Sequence, residues 1–258
     1  MDGVALCARF SIATNRLAYC GPADAEPDLY RAIVTGEGSP RARAALARFE
    51  ALMPYLEAIG AANGRDPFDV EVVRAYWVGN DLLRAVDRGR FLELLSALTR
   101  RGLPASIARR LADHLPAEPL AHHVFHVGFV GVGAVTGHVP TTLANIEACR
   151  PAWAEVVDAS SDHLVVEGPS VREDGPRLAL DGRARRTLAY DPRVLPDVRV
   201  GSRVAVHWSW PALELDLSAA RDLETWTRRS IASANEALPA LGVDLAAGGD
   251  RDDRRYVT

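Results

Sequence analysis

Residues 153–171 read WAEVVDASSDHLVVEGPSV, and the hydrophobic pattern of the chain changes its period at this point. Two valine-rich runs separated by the polar residues ASSD are typical of neighbouring β-strands joined by a turn. Residues 176–192, PRLALDGRARRTLAYDP, continue the pattern and contain Asp181-Gly182, a pair favoured in two-residue hairpin turns. We therefore expect a β-rich unit to begin near residue 152.

The β-rich pattern extends further toward the C-terminus. Residues 197–210, DVRVGSRVAVHWSW, predict another pair of strands with Gly201-Ser202 at their turn. Residues 216–238 then return to helical spacing, since apolar residues recur every three or four positions from Leu217 onward. The β-rich unit therefore ends in a helix.

The first half of the chain shows helical spacing. Four successive amphipathic segments each follow a proline or glycine that is typical of a helix boundary, at Pro40, Pro67, Gly89 and Pro104. Short connections between such segments favour a helical bundle. The sequence thus predicts an α+β protein that contains a helical bundle in residues 1–148, a small β-barrel with a trailing helix in residues 149–240, and a flexible tail in residues 241–258.

Composition excludes some classes of partner. The 258 residues carry a formal net charge of −4, so we expect no basic surface for nucleic acid. No apolar run approaches the roughly eighteen residues of a membrane span. Arg9 and Arg16 interrupt the apolar N-terminal stretch, which is unlike a signal peptide, so we expect a cytoplasmic protein without membrane association.

Residues 120–140, LAHHVFHVGFVGVGAVTGHVP, hold four of the seven histidines within an otherwise apolar segment. On a helix, His122 and His126 share one face at a spacing of four residues. On a strand the same two rings also share a face, and His123 lies opposite. Either conformation predicts that His122 and His126 form a pair. These rings either bind a metal ion or are core histidines with ordinary hydrogen bonds.

The three cysteines are too few and too irregularly spaced for a zinc knuckle, and a cytoplasmic protein rarely keeps structural disulfides. Cys149 follows the histidine-rich segment closely, and Cys20 lies in a turn before Gly-Pro. We expect Cys149 to meet the histidines where the two predicted domains join, with His123 and Cys20 as further candidate ligands.

Part of the chain resembles the HypC/HupF family of hydrogenase assembly chaperones. The resemblance covers residues 149–235 and is carried by Cys149-Arg150-Pro151, AEVV at 154–157, Val200-Gly201, RVAVHW at 203–208 and LELDLSAARDLETW at 213–226. It implies a small barrel of the HypC or OB type with a C-terminal helix. It also implies that Cys149 and His207 carry iron with cyanide and carbonyl ligands, and that the partner is a hydrogenase large subunit or another maturation factor.

Two functional hypotheses involve a metal ion, and a third is a structural adaptor in which all the histidines are core residues. In the first, the protein is an iron carrier related to nickel–iron hydrogenase maturation and not an enzyme. In the second, it is an iron-dependent metalloenzyme that uses the His122/His126 cluster on a small molecule, and the barrel is an accessory domain. A thiolate and imidazoles suit Fe(II), Zn(II) and Cu(I), and iron is favoured over zinc because of the family resemblance. The sequence does not define an oligomeric state.

Overall fold

The computed structural model describes residues 1–241. The N-terminal part is helical, as the apolar spacing predicts, and the remaining elements are five strands and a long final helix. In the described residues the helices are α1 (Gly3–Arg16), α2 (Glu26–Thr35), α3 (Pro40–Leu46), α4 (Leu52–Asn63), α5 (Val70–Trp77), α6 (Arg88–Thr99), α7 (Ala105–Asp113), α8 (His123–Phe125), α9 (Leu143–Cys149) and α10 (Leu217–Leu241).

Side-chain caps define where several helices begin. The Asp2 carboxylate accepts a hydrogen bond from the backbone N–H of Ala5, and the Ser39 hydroxyl accepts one from Ala42. Such caps satisfy N–H groups that have no partner within the first turn of a helix. The helix predicted to begin at Pro40 is divided into α3 and α4, and the break lies before Pro54, which occupies the first turn of α4.

The sheet contains β1 (Ala152–Ala159), β2 (His163–Asp174), β3 (Arg177–Ala189), β4 (Arg203–His207) and β5 (Trp210–Leu215), in the spatial order β3-β2-β1-β4-β5. All four neighbouring pairs are antiparallel. Two predicted turns are wrong. The β2–β3 hairpin turns at Gly175, after Asp174, so Asp181-Gly182 lies inside β3. Residues 197–200 do not form the strand predicted before Gly201-Ser202, and β4 instead turns into β5 at Trp208 and Ser209.

The prediction of a β-barrel is also wrong. In the described residues β3 and β5 are edge strands of an open sheet and do not pair with each other. A barrel requires its first and last strands to share backbone hydrogen bonds, and the alternation of residues along a strand does not reveal that pairing. The protein is α+β with an open five-stranded antiparallel sheet.

One continuous cluster of buried apolar side chains includes residues on both sides of the boundary predicted at residues 148 and 149. The final helix α10 packs on the histidine-rich segment as well as on the sheet. The boundary itself stays a prediction. The predicted tail, residues 241–258, lies outside the described residues except for Leu241, which ends α10.

The histidine-rich segment is a short and irregular helix. Three residues of α8 lead into a π-helical stretch, His126–Gly131. The wider turn of a π-helix is rare and often occurs at functional sites. None of the helices in residues 1–241 is long and apolar enough to cross a membrane.

Candidate metal centre

Three elements that are distant in sequence meet at one point in the core. His123 begins α8, Cys149 ends α9, and His207 ends β4. Each residue offers one ligand atom, and these atoms all lie within 4.8 Å of one another. Two imidazole nitrogens and one thiolate sulfur are the donor types that bind borderline metal ions such as Fe(II) and Zn(II). The group therefore has the composition and spacing of a metal site.

His207 has a defined tautomer and an unused nitrogen. Its Nδ1 lies 2.6 Å from the backbone carbonyl oxygen of Phe10, and a carbonyl only accepts, so Nδ1 carries the proton. Nε2 then presents a bare lone pair, which is buried without a hydrogen-bond partner among the described residues. An unpaired buried acceptor is costly, and a metal ion at Nε2 removes that cost. A hydrogen bond from the other ring nitrogen to a carbonyl is the usual way in which proteins orient a metal-binding histidine.

His123 is oriented in a similar way. Its Nδ1 accepts a hydrogen bond of 2.8 Å from the Tyr76 hydroxyl, because the Nε2 proton is donated to the Cys149 carbonyl oxygen. Its Nε2 faces Cys149, at 3.6 Å from Sγ and 3.1 Å from the carbonyl oxygen. The Trp77 ring packs against the imidazole with a centroid distance of 4.3 Å. The tyrosine and tryptophan therefore hold this ring with Nε2 toward the thiol.

Burial sets the protonation of all three groups. It lowers the pKa of His207 to about 4 and that of His123 well below the ordinary value, where His207 and His126 add to the effect. Both rings are therefore neutral at pH 7. The Nε2 lone pair of His207 is available to a metal ion, whereas the Nε2 proton of His123, which is donated to the Cys149 carbonyl, must move to Nδ1 before Nε2 binds. Burial raises the pKa of the Cys149 thiol, while the Trp208 indole acts in the opposite direction. A metal ion must displace the thiol proton in order to bind.

A cavity of about 60 Å³ adjoins the three groups. Its walls are almost wholly apolar or aromatic, and the lining includes no Asp, Glu, Lys or Arg side chain. The full lining is Ser11, Thr14, Tyr19, Cys20, Phe49, Ala51, Leu52, Tyr76, Trp77, His123, His126, Val132, Gly133, Val139, Cys149, His207 and Trp208. Since several of these residues are only half-buried, the cavity reaches toward solvent near Tyr19, Ala51 and Gly133.

The remaining sequence-predicted candidates lie at different distances from this group. His126 lines the cavity, its Nδ1 is 3.0 Å from the Tyr55 hydroxyl, and its ring stacks 6.0 Å from that of His123. Cys20 also lines the cavity, although it does not belong to the group of three within 4.8 Å. His122 lies outside the cavity lining, and its Nδ1 is 3.1 Å from the Ser230 hydroxyl.

The structure therefore does not bring His122 and His126 together in one site. His122 has extended backbone angles and precedes the first turn of α8, so helical spacing begins only at His123. His123 and His126, three residues apart, consequently face the same cavity. The rule that paired His122 with His126 assumed one conformation throughout, and the helix start falls between them.

Sequence reasoning missed the residues that orient the ligands. Tyr76 and Trp77 were part of an apolar helical face, and the carbonyl of Phe10 belongs to the unremarked helix α1. No spacing rule links them to the histidines, because they lie 47 and 197 positions away in the pairs Tyr76–His123 and Phe10–His207. The one available signal was the pair of aromatic residues Tyr76-Trp77 within the amphipathic segment predicted after Pro67.

Residues 1–240, nearly the whole described chain, match a single family model, "Family of unknown function (DUF6390)". The chain belongs to the DUF6390 family. This DUF6390 protein is therefore not a member of the HypC/HupF family, and the resemblance drawn from residues 149–235 is wrong. No curated protein and no solved structure matches this DUF6390 chain. Cys149 and His207, the two residues that the resemblance singled out, nevertheless belong to the group of three in the core of the DUF6390 fold.

Proposed function

We propose that the protein holds one resident transition-metal ion on His123, Cys149 and His207, with an open coordination position that faces the adjoining cavity. The observation that carries this proposal is the bare Nε2 of His207, a buried lone pair with no partner among the described residues beside a thiol and a second imidazole. Three protein ligands and one open position are characteristic of metal sites that bind or transform a small molecule. This function corresponds to a metalloprotein with a small-molecule pocket.

Burial supports a resident ion rather than one that is carried to a partner. His207 is 1% exposed, His123 is 7% exposed and Cys149 is 9% exposed. Transfer to another protein needs ligands that the acceptor can reach, whereas these come from three elements packed around one core. A carrier function therefore requires the core to open, and a resident centre does not.

The donor set accommodates both Fe(II) and Zn(II). The expectation of iron with cyanide and carbonyl ligands, and of a hydrogenase subunit as partner, came from the HypC/HupF resemblance, which the DUF6390 assignment overturns. Two imidazoles with one thiolate are borderline donors, so geometry and supply in the cell decide which ion is bound. The proposal is limited to one such ion per chain.

The test is metal analysis of the purified protein, expressed with iron and zinc supplied together and handled without oxygen. We expect close to one equivalent of iron or zinc, and a loss of at least tenfold in occupancy in Cys149→Ser and in His207→Gln. His122→Gln is the matched control, because His122 is equally buried but bonds Ser230 and lies outside the cavity lining. Metal-free preparations with normal folding, or equal loss in His122→Gln, would contradict the proposal.

A further inference from the structure

The proposed centre has an unbalanced charge. Histidine binds a metal ion as a neutral imidazole and cysteine binds it as a thiolate, so a divalent ion on these three ligands has a net charge of one positive unit. The cavity that adjoins the proposed metal centre has no acidic side chain in its lining. An unpaired charge in an apolar environment is costly, and proteins compensate it with a counter-ion or a ligand of opposite charge.

Carboxylates near the cavity are engaged elsewhere. Glu50 is close enough to Cys20 to raise the pKa of that thiol, but its carboxylate accepts a hydrogen bond of 3.0 Å from the backbone N–H of Gly21 and does not line the cavity. Glu147 lies two residues from Cys149, and its oxygens bind the guanidinium groups of Arg150 and Arg186. Neither side chain is placed to occupy the open position of the metal ion.

The cavity also offers a hydrogen-bond donor. The indole N–H of Trp208 is buried and lies near the Cys149 sulfur, whose pKa it lowers, with no nitrogen or oxygen acceptor among the described residues, and the ring lines the cavity. Trp208 is 9% exposed, and its backbone φ is 53°, an unfavourable value for a residue with a side chain. Strained residues persist where the surrounding structure fixes them, which is common at ligand-binding sites. The cavity therefore holds a weakly engaged N–H donor beside the proposed ion and no acidic side chain in its lining.

We propose that the open position of the metal ion takes a small monoanion from solution, which fills the cavity and balances the charge. This inference rests on the proposed metal centre and defines its ligand class. A cavity of about 60 Å³ holds about four to six water-sized groups at roughly 10–15 Å³ each, which sets the size limit of the anion. Anions of two to four heavy atoms fit, and an aromatic carboxylate does not.

The test uses cobalt(II) as a spectroscopic substitute for the native ion in the full-length protein. Cobalt uptake is measured first, then azide and benzoate are titrated separately while the visible absorption bands are recorded. We expect one equivalent of cobalt, a saturable change of the bands with azide, and no change with benzoate at the same concentration. Cobalt uptake with no response to azide would overturn the monoanion ligand and leave the metal centre intact; no cobalt uptake would overturn both.

A cavity-filling variant tests the location of the anion. Ala51 lines the cavity, so Ala51→Leu should raise the azide dissociation constant at least tenfold while cobalt affinity stays within twofold of the unchanged protein. Ala58→Leu is the matched control, since Ala58 is a half-buried alanine of α4 outside the lining. If Ala51→Leu does not fold, Val132→Leu replaces it, because Val132 also lines the cavity. Azide binding that is unchanged in the cavity-filling variant would contradict this location.

Cys20 provides the internal alternative, because a second thiolate would balance the charge without any anion. In that case Cys20→Ser weakens the cobalt–thiolate absorption, and the unchanged protein does not respond to azide. The monoanion proposal predicts the opposite, namely an unaltered cobalt–thiolate band and an azide response in both proteins. The two outcomes separate the protein's own ligand from one supplied by solution.

Discussion

At the scale of single residues, the hydrogen bond that each imidazole makes through Nδ1 determines whether its Nε2 is available to a metal ion. His207 donates from Nδ1 to a backbone carbonyl, and its ring lines the cavity beside Cys149. His122 bonds the Ser230 hydroxyl through Nδ1 and lies outside the cavity lining, although its Nε2 is also buried without a partner among the described residues. The sequence singled out these rings as candidate ligands, because so many histidines in an apolar segment is unusual. It did not select among them, since the selection depends on where α8 begins and on partners far away in the chain.

Tyr76 permits a prediction at this scale. When His123 binds a metal ion through Nε2, its Nδ1–H must donate to the Tyr76 hydroxyl, 2.8 Å away. In Tyr76→Phe that N–H is buried without its acceptor, so we expect metal affinity to fall about tenfold, the lower end of the range for such orienting residues. Competition with a chromophoric chelator measures the affinity.

Tyr55→Phe is the control for Tyr76→Phe. Tyr55 is equally buried and contacts Nδ1 of His126, which is not one of the three ligands. The control should keep its metal affinity within about twofold of the unchanged protein. Equal losses in the two variants would mean that the effect is a general loosening of the aromatic core.

At the scale of elements, helix α9 positions Cys149 because an ion-pair cluster ties it to the sheet. Glu147 binds Arg150, whose side chain is 1% exposed, and it also accepts a hydrogen bond of 2.8 Å from the backbone N–H of Val171 in β2. A second arginine, Arg186 of β3, completes the cluster. The carboxylate therefore holds one helix against two strands.

Loss of this carboxylate should be costly. Glu147→Ala leaves the Arg150 guanidinium buried and uncompensated, so we expect the free energy of unfolding to fall by about 3–5 kcal/mol. Glu224→Ala, which removes an exposed pair with Arg228 within α10, should cost about 0.5 kcal/mol. Urea unfolding followed by circular dichroism measures both values. Similar losses of unfolding free energy in the two variants would contradict the role of Glu147 in holding α9 against the sheet.

Most element types were predicted from the sequence, although residues 197–200 do not form the expected strand and β5 was not predicted. The connections between elements were predicted less well. Asp-Gly occurs at Asp174-Gly175 and again at Asp181-Gly182, and turn chemistry alone does not say which one reverses the chain. The first does, with Gly175 at a φ of 59°, so β2 and β3 are longer than predicted. Whether the sheet closes into a barrel could not be predicted either, because closure depends on pairing between strands that are distant in sequence.

At the scale of the whole molecule, the core contains four histidines that are neutral when folded. Burial lowers the pKa of His122 to about 3 and the pKa values of His126 and His207 to about 4, and it lowers that of His123 as well. The ordinary value in an unfolded chain is about 6.5. Between the pKa values of the folded protein and those of the unfolded chain, the unfolded chain binds protons that the folded protein does not, so the free energy of unfolding rises with pH.

The metal-free protein should therefore be sensitive to acid. We expect its free energy of unfolding to fall as the pH is lowered from about 6.5 toward 4, with a proton uptake on unfolding that approaches one per buried histidine. Urea unfolding at pH 7.5, 6 and 5 measures this slope. A free energy of unfolding that is flat from pH 7.5 to pH 5 would show that the rings take up protons within the folded protein.

The contact between His207 and helix α1 has a consequence for the order of assembly. The carbonyl that orients His207 belongs to Phe10, 197 positions earlier in the chain. The geometry of the candidate ligands is therefore complete only after both ends of the described chain have docked. For the proposed metal ion this implies insertion after folding, through the mouth of the cavity, and no role as a folding nucleus.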